Sequence, residues 1–203
     1  MNYLDGVKAI IFDLGGVIVD LDINKTRHEL ALLLGLEQPE LYYSKGHIPL
    51  FSDYEVGEIT AEAFIDGLLK QSINGTTREQ LIDAWNAMLL NIPIKRIKML
   101  ERLRIDYRLF ILSNTNSIHV ERFEKMAPGY NTLSELFESA YYSHLLGARK
   151  PDKAIFDAVI AQEGLDVTST LFVDDLPANI EAAKLLGFKT LLIEPGMEIA
   201  DLL

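Results

Sequence analysis

Apolar residues first gather in Lys8-Ala9-Ile10-Ile11-Phe12, a β-branched run that stops at Asp13 and two glycines. A short continuous apolar run of this kind predicts a strand buried on both faces of a parallel sheet. Val17-Ile18-Val19 follows as a second short run, read as a small flap. The spacing then changes. Asn24 to Leu36 carries apolar residues at helical intervals and stops at Gly35. Thr60 to Leu69 opens on a partial capping box, its acid Glu62 one place early, and Thr76-Thr77-Arg78-Glu79 opens a further helix through Trp85 to Leu90. No strand-like alternation interrupts residues 24–91. From Ile92 onward helices and strands alternate. A helix is predicted over Ile94 to Arg104 with Pro93 near its first turn, then a strand over Arg108 to Leu112 and a helix over Ser117 to Lys125. A weak strand over Ser139 to Tyr142 precedes a helix over Ala154 to Glu163 closed by Gly164. Thr170 to Val173 is a strand, Ala178 to Leu186 a helix closed by Gly187, and Lys189 to Ile193 the last strand. The pattern predicts an α/β protein: a Rossmann-like, doubly wound parallel sheet with a helical cap inserted after the first strand. Residues 1–20 and 92–203 form the core in this reading and 21–91 the cap.

Composition narrows the function. The 203 residues suit one domain with a modest insertion, and an apolar content of 49% with 24% charged is that of a folded chain. With 19 basic against 30 acidic residues the net charge is −11, which argues against a nucleic-acid or anionic-membrane partner. The absence of cysteine excludes a disulfide scaffold, a thiolate metal site and a thiol nucleophile, and is compatible with a cytoplasmic location. The longest apolar run, Ala9 to Val19, is broken by Asp13, and Met1 to Lys8 does not read as a targeting segment.

Polar residues collect where the strands end. Asp13-Leu14-Gly15-Gly16 follows the first, Ser113-Asn114-Thr115-Asn116 the second, Gly147-Ala148-Arg149-Lys150-Pro151 the weak third and Asp174-Asp175 the fourth. In an open parallel sheet these ends share one edge, where ligands bind. A carboxylate there can accept a phosphoryl group and split one hard step into two. Hard oxygens can hold a divalent cation, while a hydroxyl and a lysine steady and neutralise the phosphoryl oxygens. No Gly-x-Gly-x-x-Gly, no Gly-Lys-Ser/Thr loop and no Gly-x-Ser-x-Gly elbow is present, and His28, His47, His119 and His144 do not have metal-ligand spacing.

Taken together, Phe12-Asp13-Leu14-Gly15-Gly16-Val17, Leu112-Ser113-Asn114, Arg149-Lys150-Pro151 and Phe172-Val173-Asp174-Asp175 resemble the four motifs of the haloacid dehalogenase-like hydrolase superfamily. The helical insertion resembles its type 1 cap. The details around Asn116 and Asn179 are closest to the branch of sugar-1-phosphate phosphatases and the N-terminal phosphatase domain of epoxide hydrolases. The resemblance implies a phosphatase of a small phosphorylated metabolite that works with Mg2+. Asp13 would be nucleophile and metal ligand, joined by the Gly15 carbonyl and Asp175, with Asp174 a ligand or bridged through water. Ser113, Asn114, Arg149 and Lys150 would hold the phosphoryl group, Ser113 and Lys150 with catalytic roles. One position departs. Phosphatases of this superfamily usually carry an acid/base Asp two residues after the nucleophile, and here Gly15 stands there. That leaves open a substrate with a good leaving group, a proton from a cap residue or water, or a non-catalytic phospholigand-binding protein. Phe51, Tyr54, Glu55, Trp85 and Asn86 are the candidate substrate-facing cap residues, with Phe51 to Thr60 read as a loop, and Asp20-Leu21-Asp22 is read as a hinge or helix cap.

Overall fold

The computed structural model describes residues 3–36 and 49–203. His47 and part of the proposed cap lie outside them. Five strands, β1 (Ala9–Phe12), β2 (Arg108–Ser113), β3 (Ser139–Tyr142), β4 (Thr170–Asp174) and β5 (Lys189–Leu192), form one parallel sheet in the order β3-β2-β1-β4-β5. The period of two along each strand sorts their side chains between two cores. Ile10, Phe12, Leu109, Ile111, Leu171 and Val173 face one side, packing with Ile97, Leu100 and Leu103 of α5 (Ile94–Leu103) and Phe123 of α6 (Ser117–Phe123). Ala9, Ile11, Phe110, Leu112 and Phe172 face the other, against Phe156 and Val159 of α8 (Lys153–Glu163) and Ile180 and Ala183 of α9 (Pro177–Leu185). A sheet covered on both faces has no polar face, which is why its strands read as unbroken apolar runs.

Between β1 and α5 lie α1 (Ile23–Leu34), α2 (Pro49–Glu55), α3 (Ala61–Leu69) and α4 (Arg78–Asn86). Their core is largely their own: Leu30, Phe64, Leu68, Leu81 and Trp85 cluster, with Ile118 the contribution from α6. Local chemistry sets the ends. Asp22 caps α1, and Gly35 ends it in the left-handed conformation at φ 63°. Thr60 caps α3, and Thr77 with Gln80 forms a full capping box on α4. Two expectations change. Phe51 to Glu55 is helix rather than loop, and its Phe51 ring packs 5.5 Å from Phe64 and 5.4 Å from Trp85. The Val17-Ile18-Val19 flap is a fully buried turn, closed by hydrogen bonds from Ile18 and Val19 N–H to the Leu14 carbonyl.

The two chain crossings between core and helical insertion run side by side. Asp20 N–H donates to the Asn91 carbonyl at 2.9 Å, Leu90 N–H to the Asp20 carbonyl at 3.0 Å, and Asp22 N–H to the Met88 carbonyl at 2.9 Å. Arg96, on α5, pins this junction. Its guanidinium meets Glu198 at 3.0 and 3.2 Å, the Ile18 carbonyl at 3.2 Å and Asp20 at 2.8 Å. Removing one partner of a buried ion pair typically costs about 3–5 kcal/mol, and the partial exposure of Asp20 puts this case at the low end. Arg96→Met is therefore expected to lose about 3 kcal/mol, read as a lower urea midpoint at unchanged slope.

Candidate active site

β1 is the central strand, and the chain winds to either side of it, so the cleft beyond its carboxyl end is the place where such a sheet binds ligands. Asp13 is the first residue past β1, and its N–H donates to the Val173 carbonyl of β4 at 2.8 Å. Oxygen atoms of Asp13, Asp174 and Asp175 lie within 4.8 Å of one another. Lys150 is only 2% exposed, and its Nζ bridges Asp13 Oδ1 at 2.8 Å and Asp174 Oδ2 at 2.7 Å, above the Phe172 ring. Burial works against the ammonium, yet the two carboxylates together hold its pKa above the ordinary value. Burial, opposed by Lys150 and reinforced by Asp174, pushes Asp13 up to about 6. Burial and then Asp174 also raise Asp175.

Asp174 is saturated. Its Oδ1 accepts from Leu176 N–H at 2.8 Å and Asn179 Nδ2 at 3.0 Å, and its Oδ2 accepts from Lys150 and from Asn179 at 3.0 Å. Asp175 lies beside Gly16, where a Cβ would come within 2.4 Å of its Oδ2 and where φ is +76°. A glycine is needed there for both reasons. Among the described residues these three crowded carboxylates meet one ammonium, Lys150, which pairs with Asp13 and Asp174, so an excess of negative charge remains. That donor set, hard oxygens at a site held open by a glycine, fits a hard divalent cation.

The remaining expected residues are distributed around this cluster. Ser113 ends β2, is buried and lines the cavity of about 500 Å³ that Asp13, Lys150 and Asp175 also line. Asn114 also lines this cavity, and its side-chain amide bonds the main chain of Lys150, accepting from its N–H and donating to its carbonyl, both at 2.8 Å. Arg149 reaches across to the cap and pairs with Glu55 at 2.9 Å. Gly15 lines the cavity, and a Cβ there would lie 2.5 Å from Cδ1 of Leu21. Leu21, which carried no signal beyond its place in the hinge, thus occupies the space beside the position where an acid is usual.

The other cap candidates divide. Glu55 and Trp85 line the cavity, whereas Phe51 and Tyr54 pack in the cap and Asn86 does not reach it. Tyr54 closes the cap onto the core instead, its hydroxyl 2.9 Å from Ser117 Oγ and accepting from Ile118 N–H at 3.0 Å. Ser143, which opens the short helix α7 (Ser143–Leu146), accepts from Thr115 N–H at 2.9 Å, and its one hydroxyl proton is shared between the Glu55 carbonyl at 2.6 Å and the Thr115 carbonyl at 2.9 Å. His119 stacks on Trp85 with ring centroids 5.0 Å apart. Its Nε2 donates to the Trp85 carbonyl at 3.0 Å, and its Nδ1 accepts from Asn116 Nδ2 at 3.2 Å. Both nitrogens are spent on structure, and burial lowers the imidazole to about 4.

Comparison with known proteins accords with this geometry. The family model for haloacid dehalogenase-like hydrolases matches residues 7–187. A D-ribitol-5-phosphate phosphatase of Bacteroides thetaiotaomicron is 32% identical over 95% of this chain and 94% of its own. A crystal structure of a haloacid dehalogenase family enzyme from the same organism superposes with a TM-score of 0.90 at 31% identity, covering 97% of this chain and 98% of that one. Another crystal of that enzyme, with magnesium and inorganic phosphate, gives a TM-score of 0.87 at 32% identity with the same coverage. A haloacid dehalogenase-like hydrolase structure from Porphyromonas gingivalis gives 0.84 at 32% identity, covering 94% of this chain and 93% of that one. This chain belongs to the haloacid dehalogenase-like hydrolase family.

Because folded His119 resists protonation until about pH 4 while an unfolded histidine takes a proton near 6.5, the unfolded state binds more protons between those values. Stability is therefore expected to fall as pH drops through that window, by up to about 3 kcal/mol from this group. His119→Phe should be less stable at neutral pH yet lose less on acidification, as followed by urea melts from pH 7 to 4.

Proposed function

We propose that this protein is a magnesium-dependent phosphatase of a small sugar or polyol phosphate, acting through a phosphoryl group carried on Asp13. The observation that carries the reading is the single cluster at the end of β1: a carboxylate aligned by a buried ammonium, beside a further acidic pair. The named activity of the Bacteroides relative and the magnesium and phosphate held by the solved Bacteroides enzyme support it. In this reading Asp13, Asp175 and the Gly15 carbonyl hold the cation, and Asp174, its oxygens already taken, holds Lys150 and Asn179 behind them. The cation supplies charge neutralisation between the nucleophile and the phosphoryl oxygens.

The chain's own residues do the rest. Asp13 attacks phosphorus from the floor of the cleft. Lys150 orients the carboxylate and offsets charge that grows on the phosphoryl oxygens, and the Ser113 hydroxyl binds one of them. Asn114 acts through Lys150 by fixing its main chain. Residues 21–91 act as the cap that covers the site and meets the leaving group, a task for which Trp85 and Glu55 are placed. Although Gly15 also admits binding without turnover, the Bacteroides relative named as a phosphatase weighs toward catalysis. A cytoplasmic enzyme fits the cysteine-free composition.

Asp13→Asn keeps the shape of the nucleophile and removes its nucleophilicity. Phosphate release from ribitol 5-phosphate with added magnesium is expected to fall below detection, and chelation of the wild type should do the same and be reversed by magnesium. Turnover that survived both treatments would refute the reading.

A further inference from the structure

Resting on that phosphatase reading, we infer that Glu55 on the cap gives the leaving oxygen its proton and later takes one from the hydrolytic water, the work usually done two residues after the nucleophile. Position 15 has no side chain for it, and Leu21 occupies the space where one would begin. The other titratable groups of the cavity are committed. Asp13 is the nucleophile, and Asp175 stands with it in the carboxylate cluster. Lys150 is held between Asp13 and Asp174. His119 has both ring nitrogens bonded, and an arginine such as Arg149 does not give up its proton. Glu55 is the acid that remains among the residues lining the cavity.

Its placement suits the role. In an in-line displacement the leaving oxygen lies opposite the attacking one. With Asp13 on the floor, that oxygen faces the cap, and Glu55 ends the cap helix α2. The residue is also held firmly. Its Oε1 accepts from Arg149 Nη1 at 2.9 Å, which a carboxyl oxygen can do whether or not its partner oxygen carries a proton. Its Oε2 makes no hydrogen bond among the described residues. Its main-chain carbonyl accepts from Ser143 Oγ at 2.6 Å. Two residues on, Gly57 adopts φ +76° where a Cβ would lie 2.1 Å from the His144 carbonyl, so the segment is pressed onto the core by a contact only glycine permits. Burial raises the Glu55 carboxyl above its ordinary value, with Arg149 and then Lys150 opposing. A carboxylic acid moved toward neutral pH is what proton donation asks for.

The chemistry balances. An Asp13 oxygen forms a bond to phosphorus as the bond from phosphorus to the leaving oxygen breaks. That oxygen keeps the electron pair and takes the Glu55 proton, so an alcohol departs. Glu55 carboxylate then removes a proton from water as the water oxygen bonds to phosphorus and the Asp13 oxygen leaves. Phosphate and a free Asp13 carboxylate result, and Glu55 is an acid again.

The test uses two esters on the wild-type protein and on Glu55→Gln with magnesium present. Gln keeps the size of the residue and its acceptor for Arg149 but has no proton to donate. For ribitol 5-phosphate, whose alkoxide needs a proton to leave, kcat/KM is expected to fall by about 10²-fold or more. For p-nitrophenyl phosphate, whose phenolate leaves unaided, kcat/KM should stay within about threefold, because that parameter reports only steps through the first P–O cleavage. The aryl ester doubles as the control for folding and cap closure. Glu55→Asp, with a carboxyl on a shorter arm, should recover part of the alkyl activity. Equal losses on both esters would show that Glu55 is only a cap latch and overturn the inference, as would no loss on either. Wild-type protein that released phosphate from neither ester would overturn the phosphatase reading and this inference with it.

Discussion

The buried ammonium of Lys150, held between Asp13 and Asp174, is the contact on which the site depends. Charges removed from water survive only when paired and fully hydrogen-bonded, and each component here has a structural reason. Asn114 fixes the Lys150 main chain from β2, while Asn179 and the Leu176 N–H saturate Asp174 from the start of α9. The cluster thus ties together the ends of β1, β2 and β4 and the loop before α8. It also concentrates more carboxylate than cation at one point, which turns a structural ion pair into a place for a divalent ion.

The cap is joined to this core by contacts of a different kind. At the hinge the two crossings are paired by main-chain hydrogen bonds and clamped by Arg96. At the closing edge Tyr54, Glu55 and Gly57 meet Ser117, Ser143, Arg149 and His144. Between them Trp85 stacks on a neutral His119 that bonds back to the Trp85 carbonyl. The apolar cores of cap and sheet stay largely separate, and the polar joins run through a few directional bonds. Among the described residues, the apolar contact across this edge is confined to Ile118 in the cap cluster and the Trp85–His119 stack.

The net charge of −11 gains meaning from this arrangement. A phosphate ester approaches a molecule of its own sign, so the cleft must supply local positive charge. In the proposed reading Lys150 would supply part of it, and the acidic cluster would supply the rest indirectly by attracting a cation. Gly15, with Leu21 against it, also leaves one carboxylate fewer in the cavity. Glu55 reaches the cavity from the cap, paired with an arginine.

Much of this was legible in the chain. Strands buried on both faces leave continuous apolar runs because neither face meets water, and helices announce their ends with Asp22, Thr60, Thr77, Gly35 and Gly164 because capping bonds join sequence neighbours. The collection of Asp13, Ser113, Lys150, Asp174 and Asp175 at one edge follows from strand ends in a parallel sheet, which share a direction. What side chains do with one another across long separations was not legible. That Asn114 serves Lys150, that Arg149 turns to Glu55 and that a buried serine meets the Glu55 carbonyl all depend on distances between segments tens of residues apart, and that Leu21 fills the space beside Gly15 depends on how the buried turn between them closes. A residue's type states which bonds it can make; only the packed fold decides which partner comes within reach.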